Sequence, residues 1–253
     1  GCSQVLWDAD RQYSTEVFGA RALDVIREAD IGLPLYLYLA FQAVHSPEQV
    51  PQHYETAYAS SISNKRRRTF AGMLSAVDIV IGNVTHALRA RGMLDNSIVL
   101  LMTDNGGSCD QGNGTCPALS YCIGTATSNW PLRGGKHTLW EGGVRGTAFM
   151  QGKGIAGGQS YNGLMHISDV LPTLASAAGV SIDSTTALDG VDQLSAILGR
   201  GPEPREEVLI QSDPKPIVFQ GQQGDSAKAA IRVGQWKLIV GSPGCPDNWL
   251  PPY

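Results

Sequence analysis

The sequence predicts an α/β protein. A central, mostly parallel sheet flanked by helices is followed by a small antiparallel β region, and three observations predict this. First, Ile98-Val-Leu-Leu-Met102 is a continuous apolar run of strand length, the texture of a strand buried on both faces. Second, residues 64–91 carry Phe70, Met73, Leu74, Val77, Ile81, Val84 and Leu88 three or four apart, one face of a long helix. With the apolar, aromatic-rich run 34–41 before it, this gives a strand–helix–strand crossover, which is right-handed. Third, the texture turns to short β segments after Pro202 and Pro204. The main α/β domain is expected over residues 1–200 and the β subdomain over 201–253.

The elements follow in order. Thr15 is placed to cap a helix over 15–29, with Val17, Phe18, Ala22, Val25 and Ile26 as its apolar face. Residues 34–41, bounded by Gly32 and Pro34, read as a strand. Residues 51–63 read as loop with short helical turns. The 64–91 helix should pack its stripe on the sheet and stop at Gly92. Its opening Lys65-Arg66-Arg67-Arg68 reads as a solvated face. Residues 147–150 form another strand. Ser168-Asp169 can cap a helix over 170–178, with Pro172 tolerated in its first turn and Gly179 as its stop. Asp189-Gly190 marks a turn. Segments 208–211, 217–219, 229–233 and 236–240 read as strands, the last two joined by Gly234-Gln235, a type II′ hairpin signal.

Composition narrows the function classes. The chain has 253 residues, 42% of them hydrophobic, which suffices for a large core. A net charge of −4 gives no basis for binding nucleic acid or an anionic membrane. No apolar run reads as a transmembrane segment. The chain opens on Gly1 without a leader, so it is expected to start within a longer protein. Of Cys2, Cys109, Cys116, Cys122 and Cys245, three lie in the polar insert 108–128, where two are expected to pair in an oxidising compartment. The sequons at Asn83 and Asn113 point the same way, towards the secretory pathway. Reduced cysteines in a cytosolic protein are the competing reading.

The chemistry-bearing residues sit where core elements open into loops. The 98–102 run ends in Thr103-Asp104-Asn105-Gly106-Gly107. Ligands of open α/β sheets gather beyond the carboxyl ends of strands, and Asp and Asn oxygens are hard donors for Ca²⁺ or Mg²⁺. Lys136 follows in a Gly-rich loop with Arg133 and Arg145 nearby. A hard cation beside a lysine makes a site for an oxyanion. His45 follows the 34–41 run as Asp104 follows the 98–102 run. Each has a plainer reading: an Asp-Asn-Gly-Gly turn, a solvated lysine, and a structural histidine. The insert 108–128 falls between the two motifs and is expected to overhang the pocket.

Thr103-Asp-Asn-Gly-Gly, Asn129-Trp-Pro-Leu-Arg-Gly-Gly-Lys136 and Leu139-Trp-Glu-Gly-Gly-Val-Arg-Gly146 together resemble the sulfatase family, most of all its arylsulfatase B branch, the N-acetylgalactosamine-4-sulfatases. The phrases around His45 and around Met165-His-Ile-Ser-Asp-Val extend the resemblance over nearly the whole chain. It implies the alkaline-phosphatase-like sulfatase fold, and hydrolysis of sulfate esters of glycans or aryl alcohols. It implies one Ca²⁺ held in part by Asp104 and Asn105, with Lys136 and His45 contacting the sulfate ester. His45 would bind the bridging oxygen or help protonate the leaving alcohol. A lysosomal or secreted location is implied as well. The family's nucleophile is a formylglycine made in Cys/Ser-x-Pro-x-Arg, and no stretch here fits that pattern. Cys116-Pro117 and Cys245-Pro246 carry proline one place early, and Ser212-Asp-Pro214 has Pro216 where Arg is needed. The nucleophile and the paired aspartates that complete the cation site are expected upstream of Gly1, so these residues alone should be inactive. Two other readings stand beside this one: a phosphodiesterase or phosphatase of the alkaline-phosphatase-like superfamily, and a non-catalytic secreted glycan-binding module.

Overall fold

The structure is a computed structural model that describes residues 9–108, 126–183, 187–213 and 228–244. These gather into two units. One holds residues 9–98 and 126–128, the other 99–108 and 129–244. The cysteines, the Asn113 sequon, the body of the insert and the expected strand at 217–219 lie outside the described residues.

The first unit is helical. Helix α1 spans Ser14–Glu28, α2 Gln52–Thr56 and α3 Lys65–Ala90, and a 3-10 turn follows at Leu94–Asn96. Asn64 caps α3 through its side chain, which accepts from the N–H of Arg67 at 3.1 Å. Gly92 ends it at φ +67°. The Thr15 cap expected for α1 does not form: Tyr13 holds the N-cap position and Thr15 is buried.

The buried face of α3 is Met73, Ala76, Val77, Val80 and Leu88, packed with Ala22 and Ile26 of α1. Leu74, expected in the stripe, is 56% exposed. Within this unit the stripe packs on α1 and α2, and the reason is close approach. Gly19 lets α1 sit where a Cβ would lie 2.7 Å from Val80 Cγ2, and Gly72 lets the backbone of α2 approach α3. Small residues therefore choose the contact face over the larger Leu74. Arg91 secures the pair by donating from Nη1 to Arg27 O and from Nη2 to Ala29 O, both at 2.6 Å, which caps the carbonyl end of α1. By length and composition α3 could cross a membrane, but its buried face is that of a core helix. The basic opening of α3 is not simply solvated: Arg66 pairs with Glu48 at 2.6 Å, and Arg68 donates to Ile62 O and Ser63 O.

Residues 34–41 form no strand. They carry no regular secondary structure and are largely exposed, Tyr36 and Tyr38 among them. A strand needs a hydrogen-bonded neighbour, and no ladder reaches this stretch among the described residues. Among the described residues neither the strand expected at 34–41 nor a parallel sheet occurs.

The second unit holds the sheets. Strand β1 (Ile98–Met102, its first residue counted with the first unit) pairs with β2 (Ala148–Gly152). The N–H of Thr103, just past the end of β1, donates to Thr147 O, just before β2, so the two strands run antiparallel. Between them lies the short helix α4 (Glu141–Val144). Helices α5 (Val170–Ala177) and α6 (Leu194–Ile197) follow, α5 stopping at Gly179 with φ +69°.

Strands β3 (Glu207–Asp213), β4 (Lys228–Val233) and β5 (Trp236–Val240) make the antiparallel sheet expected at the carboxyl end. A bulge shifts the β3–β4 register between Leu209 and Gln211. The β4–β5 turn is the Gly234-Gln235 hairpin, with Gly234 at φ +52°.

One buried polar cluster ties this unit together. Asp169 is completely buried and accepts from His166 N, Val191 N, Gln193 Nε2 and both Nε and Nη2 of Arg205. The Ser168-Asp169 cap expected for α5 does not form: Asp169 holds the N-cap position of α5 without a side-chain cap hydrogen bond. His166 and Asp169 form a capping box around a 3-10 turn at Ile167–Asp169 that leads into α5. Burial pushes the Asp169 carboxyl up, but Arg205, the two N–H groups and the Gln193 amide outweigh it and hold the group below the usual range.

Candidate active site

The site is built where the loop after β1 meets the loop before β2. Thr103 ends the ladder, and Asp104-Asn105-Gly106-Gly107 turns away from it. Asp104 is exposed, and its Oδ1 accepts from the N–H of Asn105 at 2.8 Å, an Asx-type contact that fixes the turn. The Asn105 amide donates to Gly106 O at 2.8 Å, which turns its own oxygen away from that carbonyl.

The lysine loop closes onto this turn through main-chain bonds. Lys136 N donates to Gly107 O at 3.0 Å, and Gly106 N donates to Gly143 O at 3.0 Å. Glycine permits the fit. A Cβ on Gly106 would lie 1.7 Å from Gly142 O, one on Gly142 2.2 Å from Gly134 O, and one on Gly143 2.4 Å from Gly135 O. The glycines of the two motifs therefore face one another, backbone against backbone.

Asn129 locks the closure. Its Oδ1 accepts from Gly107 N at 2.8 Å, while its Nδ2 donates to Gly107 O at 2.9 Å and to Gly134 O at 3.0 Å. Sequence reasoning quoted Asn129 only as part of a motif and gave it no role. Its type was the available signal: only an amide both accepts from and donates to backbone in this way.

The structure thus brings Asp104, Asn105 and Lys136 onto two loops hydrogen-bonded to each other in the second unit. His45 is in the first unit. It lies not at a strand end but in an exposed turn, where His45 N donates to Gln42 O at 3.0 Å and Nδ1 lies 2.8 Å from Ser46 O. Of the two arginines expected nearby, Arg133 stacks over the Trp140 ring, its Cζ 4.1 Å from the centroid, and Arg145 is exposed after α4. Asn83 is exposed on α3.

The donor chemistry of the turn fits a hard cation. Asp104 supplies a carboxylate and Asn105 an amide oxygen, two of the about six to eight oxygens that Ca²⁺ takes. Among the described residues no group of three or more His, Cys, Asp or Glu is placed to hold a metal. The turn by itself therefore offers fewer oxygens than a whole Ca²⁺ site takes.

These loops carry the sequence pattern of the sulfatases, which matches residues 2–180. The chain belongs to the sulfatase family. It is 40% identical to mouse arylsulfatase J over 97% of this chain and 40% of that protein. It is 30% identical to human arylsulfatase A over 81% of this chain and 35% of that one. The chain thus spans about two fifths of the length of these curated relatives.

Solved structures give the fold. Ps i-CgsB in complex with k-i-k-neocarrahexaose superposes with a TM-score of 0.74 at 27% identity, over 90% of this chain and 46% of that one. PsFucS1 sulfatase from Pseudoalteromonas sp. superposes at 0.70 and 26%, over 94% and 43%. The alkaline-phosphatase-like sulfatase fold is accordingly the parent architecture, although the described residues themselves show only helices and small antiparallel sheets. The similarity to arylsulfatases J and A supports the sulfatase family as a whole and does not single out the arylsulfatase B branch.

Proposed function

We propose that this chain forms part of an arylsulfatase-type sulfuric ester hydrolase acting on sulfate esters of glycans. The observation that carries the reading is the closure of the Asp104–Gly107 turn onto the Lys136 loop through Asn129 and facing glycines. It supports the reading because the residues that carry two hard oxygen donors and an ammonium lie on loops bonded to each other. Lys136 neutralises sulfate oxygens, and Asp104 and Asn105 contribute oxygens to Ca²⁺. When bound, that cation polarises the sulfate. His45 binds the bridging oxygen or protonates the leaving alcohol, a role suited to an imidazole near neutral pH. The nucleophile, a formylglycine, would come from a Cys/Ser-x-Pro-x-Arg element that these 253 residues do not contain.

Finer features rest on less. The glycan substrate is supported by the oligosaccharide named in the complex of a structural relative, and the arylsulfatase B branch by the motif resemblance alone. Passage through the secretory pathway, to the lysosome or the outside, is supported by the Asn83 and Asn113 sequons and the clustered cysteines.

The test is an aryl-sulfate assay with Ca²⁺ on the longer natural protein, produced together with the enzyme that makes formylglycine. Sulfate release is expected, and Lys136→Ala should reduce kcat/KM by about 10²-fold or more, as loss of a main charge-stabilising group does. Sulfate release insensitive to Lys136→Ala would refute the assignment of the lysine. Binding of sulfated glycan without turnover would favour the non-catalytic module, and faster release of phosphate from aryl phosphate the phosphatase reading.

A further inference from the structure

The Lys136 loop is gripped a second time, from the carboxyl-terminal hairpin. Glu141, which opens α4, accepts from Lys237 Nζ at 2.8 Å and from Arg232 Nη1 at 3.3 Å. Arg232 and Lys237 are direct cross-strand partners on β4 and β5. Two cations placed opposite each other repel, so an anion between them favours this pairing, and Glu141 is that anion. The site is sheltered: the side chains of Lys237, Glu141 and Arg232 are 12%, 27% and 29% exposed. Main-chain contacts run alongside. Leu139 N donates to Pro243 O at 2.8 Å, and Trp140 Nε1 donates to Gly244 O at 3.1 Å. Lys136 therefore sits on a loop held on one side by Gly107 and on the other by the segment that leaves β5.

We propose that Glu141, neutralising Arg232 and Lys237, is a positioning residue that makes the β4–β5 hairpin a working part of the sulfate-binding loop. This rests on the sulfatase reading for its catalytic consequence but not for its structural one. The carboxylate does not contact the sulfate. It fixes the start of α4, and with it the turn on which the Lys136 ammonium is carried. A loop freed by even an ångström loses binding as well as rate, because the ammonium is useful only at contact distance from the sulfate oxygens.

The experiment uses Glu141→Gln, which keeps the shape and removes the charge, in the longer natural protein. Inorganic sulfate serves as the competitive inhibitor and probe. Its inhibition constant and the KM for an aryl sulfate should each rise between about tenfold and 10²-fold, the range for residues that orient a binding group. A melting temperature close to that of the parent should accompany this. The exchanged pair Glu141→Lys with Lys237→Glu keeps one anion among the three positions and should recover much of the loss. Amide hydrogen exchange over residues 136–144 should quicken in Glu141→Gln, and this readout does not depend on activity. A parent protein without sulfatase activity would defeat the functional reading and leave exchange to decide the clamp. Unchanged exchange, or a lowered melting temperature with unchanged sulfate affinity, would overturn the proposal.

Discussion

Replacing Asp169 with Asn tests how the second unit is held together. The carboxylate is completely buried and ion-paired to Arg205, itself 15% exposed, with Arg205 Nε at 2.8 Å from Oδ2. It also accepts from His166 N at 2.8 Å, Val191 N at 2.9 Å and Gln193 Nε2 at 3.1 Å. Every neighbour is a donor, so an Asn amide must point its own NH₂ at another donor whichever way it turns. Breaking one side of a buried pair costs about 3–5 kcal/mol. Asn keeps one accepting oxygen, so the lower end, about 3 kcal/mol, applies, against the roughly 5–15 kcal/mol that stabilises an ordinary domain. Urea unfolding should show a lower midpoint at unchanged slope.

The pH dependence has a definite sign. The folded Asp169 carboxyl lies below the ordinary aspartate value of 3.8, so its stabilisation is complete above that value and is lost as pH falls through the lowered one. The gap between parent and Asp169→Asn should therefore be widest near neutrality and shrink in acid below pH 3.8. A loss under about 1 kcal/mol, the size of one ordinary hydrogen bond, or a gap indifferent to pH, would refute the reasoning.

Three glycines give sharper contrasts. Gly106→Ala puts a Cβ 1.7 Å from Gly142 O, so the turn and the lysine loop must part. On the proposed function, sulfatase turnover in the longer protein should fall by on the order of 10²-fold, and amide exchange at 106 and 136, whose N–H groups bond across the two loops, should quicken with it. Gly19→Ala meets both Cγ atoms of Val80 within 2.9 Å and should cost about 1–3 kcal/mol in thermal or urea unfolding, as overpacking does. Gly82→Ala, on the exposed side of α3 with nothing within 4 Å, should raise stability by roughly 0.4–1 kcal/mol by the same measurements.

Much of this was legible in the sequence because it is local. Gly92 and Gly179 stopping helices, and Gly234 turning the hairpin, depend on a few neighbouring dihedrals and one or two short-range bonds. The Asp104–Gly107 turn and the Lys136 loop were legible as motifs, since their glycines and polar residues are unusual together. Tertiary structure decided the rest. The 34–41 run has strand composition, but a strand exists only beside a partner, and among the described residues it has none. Which face of α3 is buried depended on Gly19 and Gly72 admitting close neighbours, not on the largest apolar side chains, so Leu74 faces out. The ion pairs that hold the second unit join Asp169 to Arg205 across 36 residues and Glu141 to Lys237 across 96. Read singly, those residues are surface charges like any other. Only the fold that takes them out of water, and sets each beside its counter-charge, turns them into fixed points of the structure.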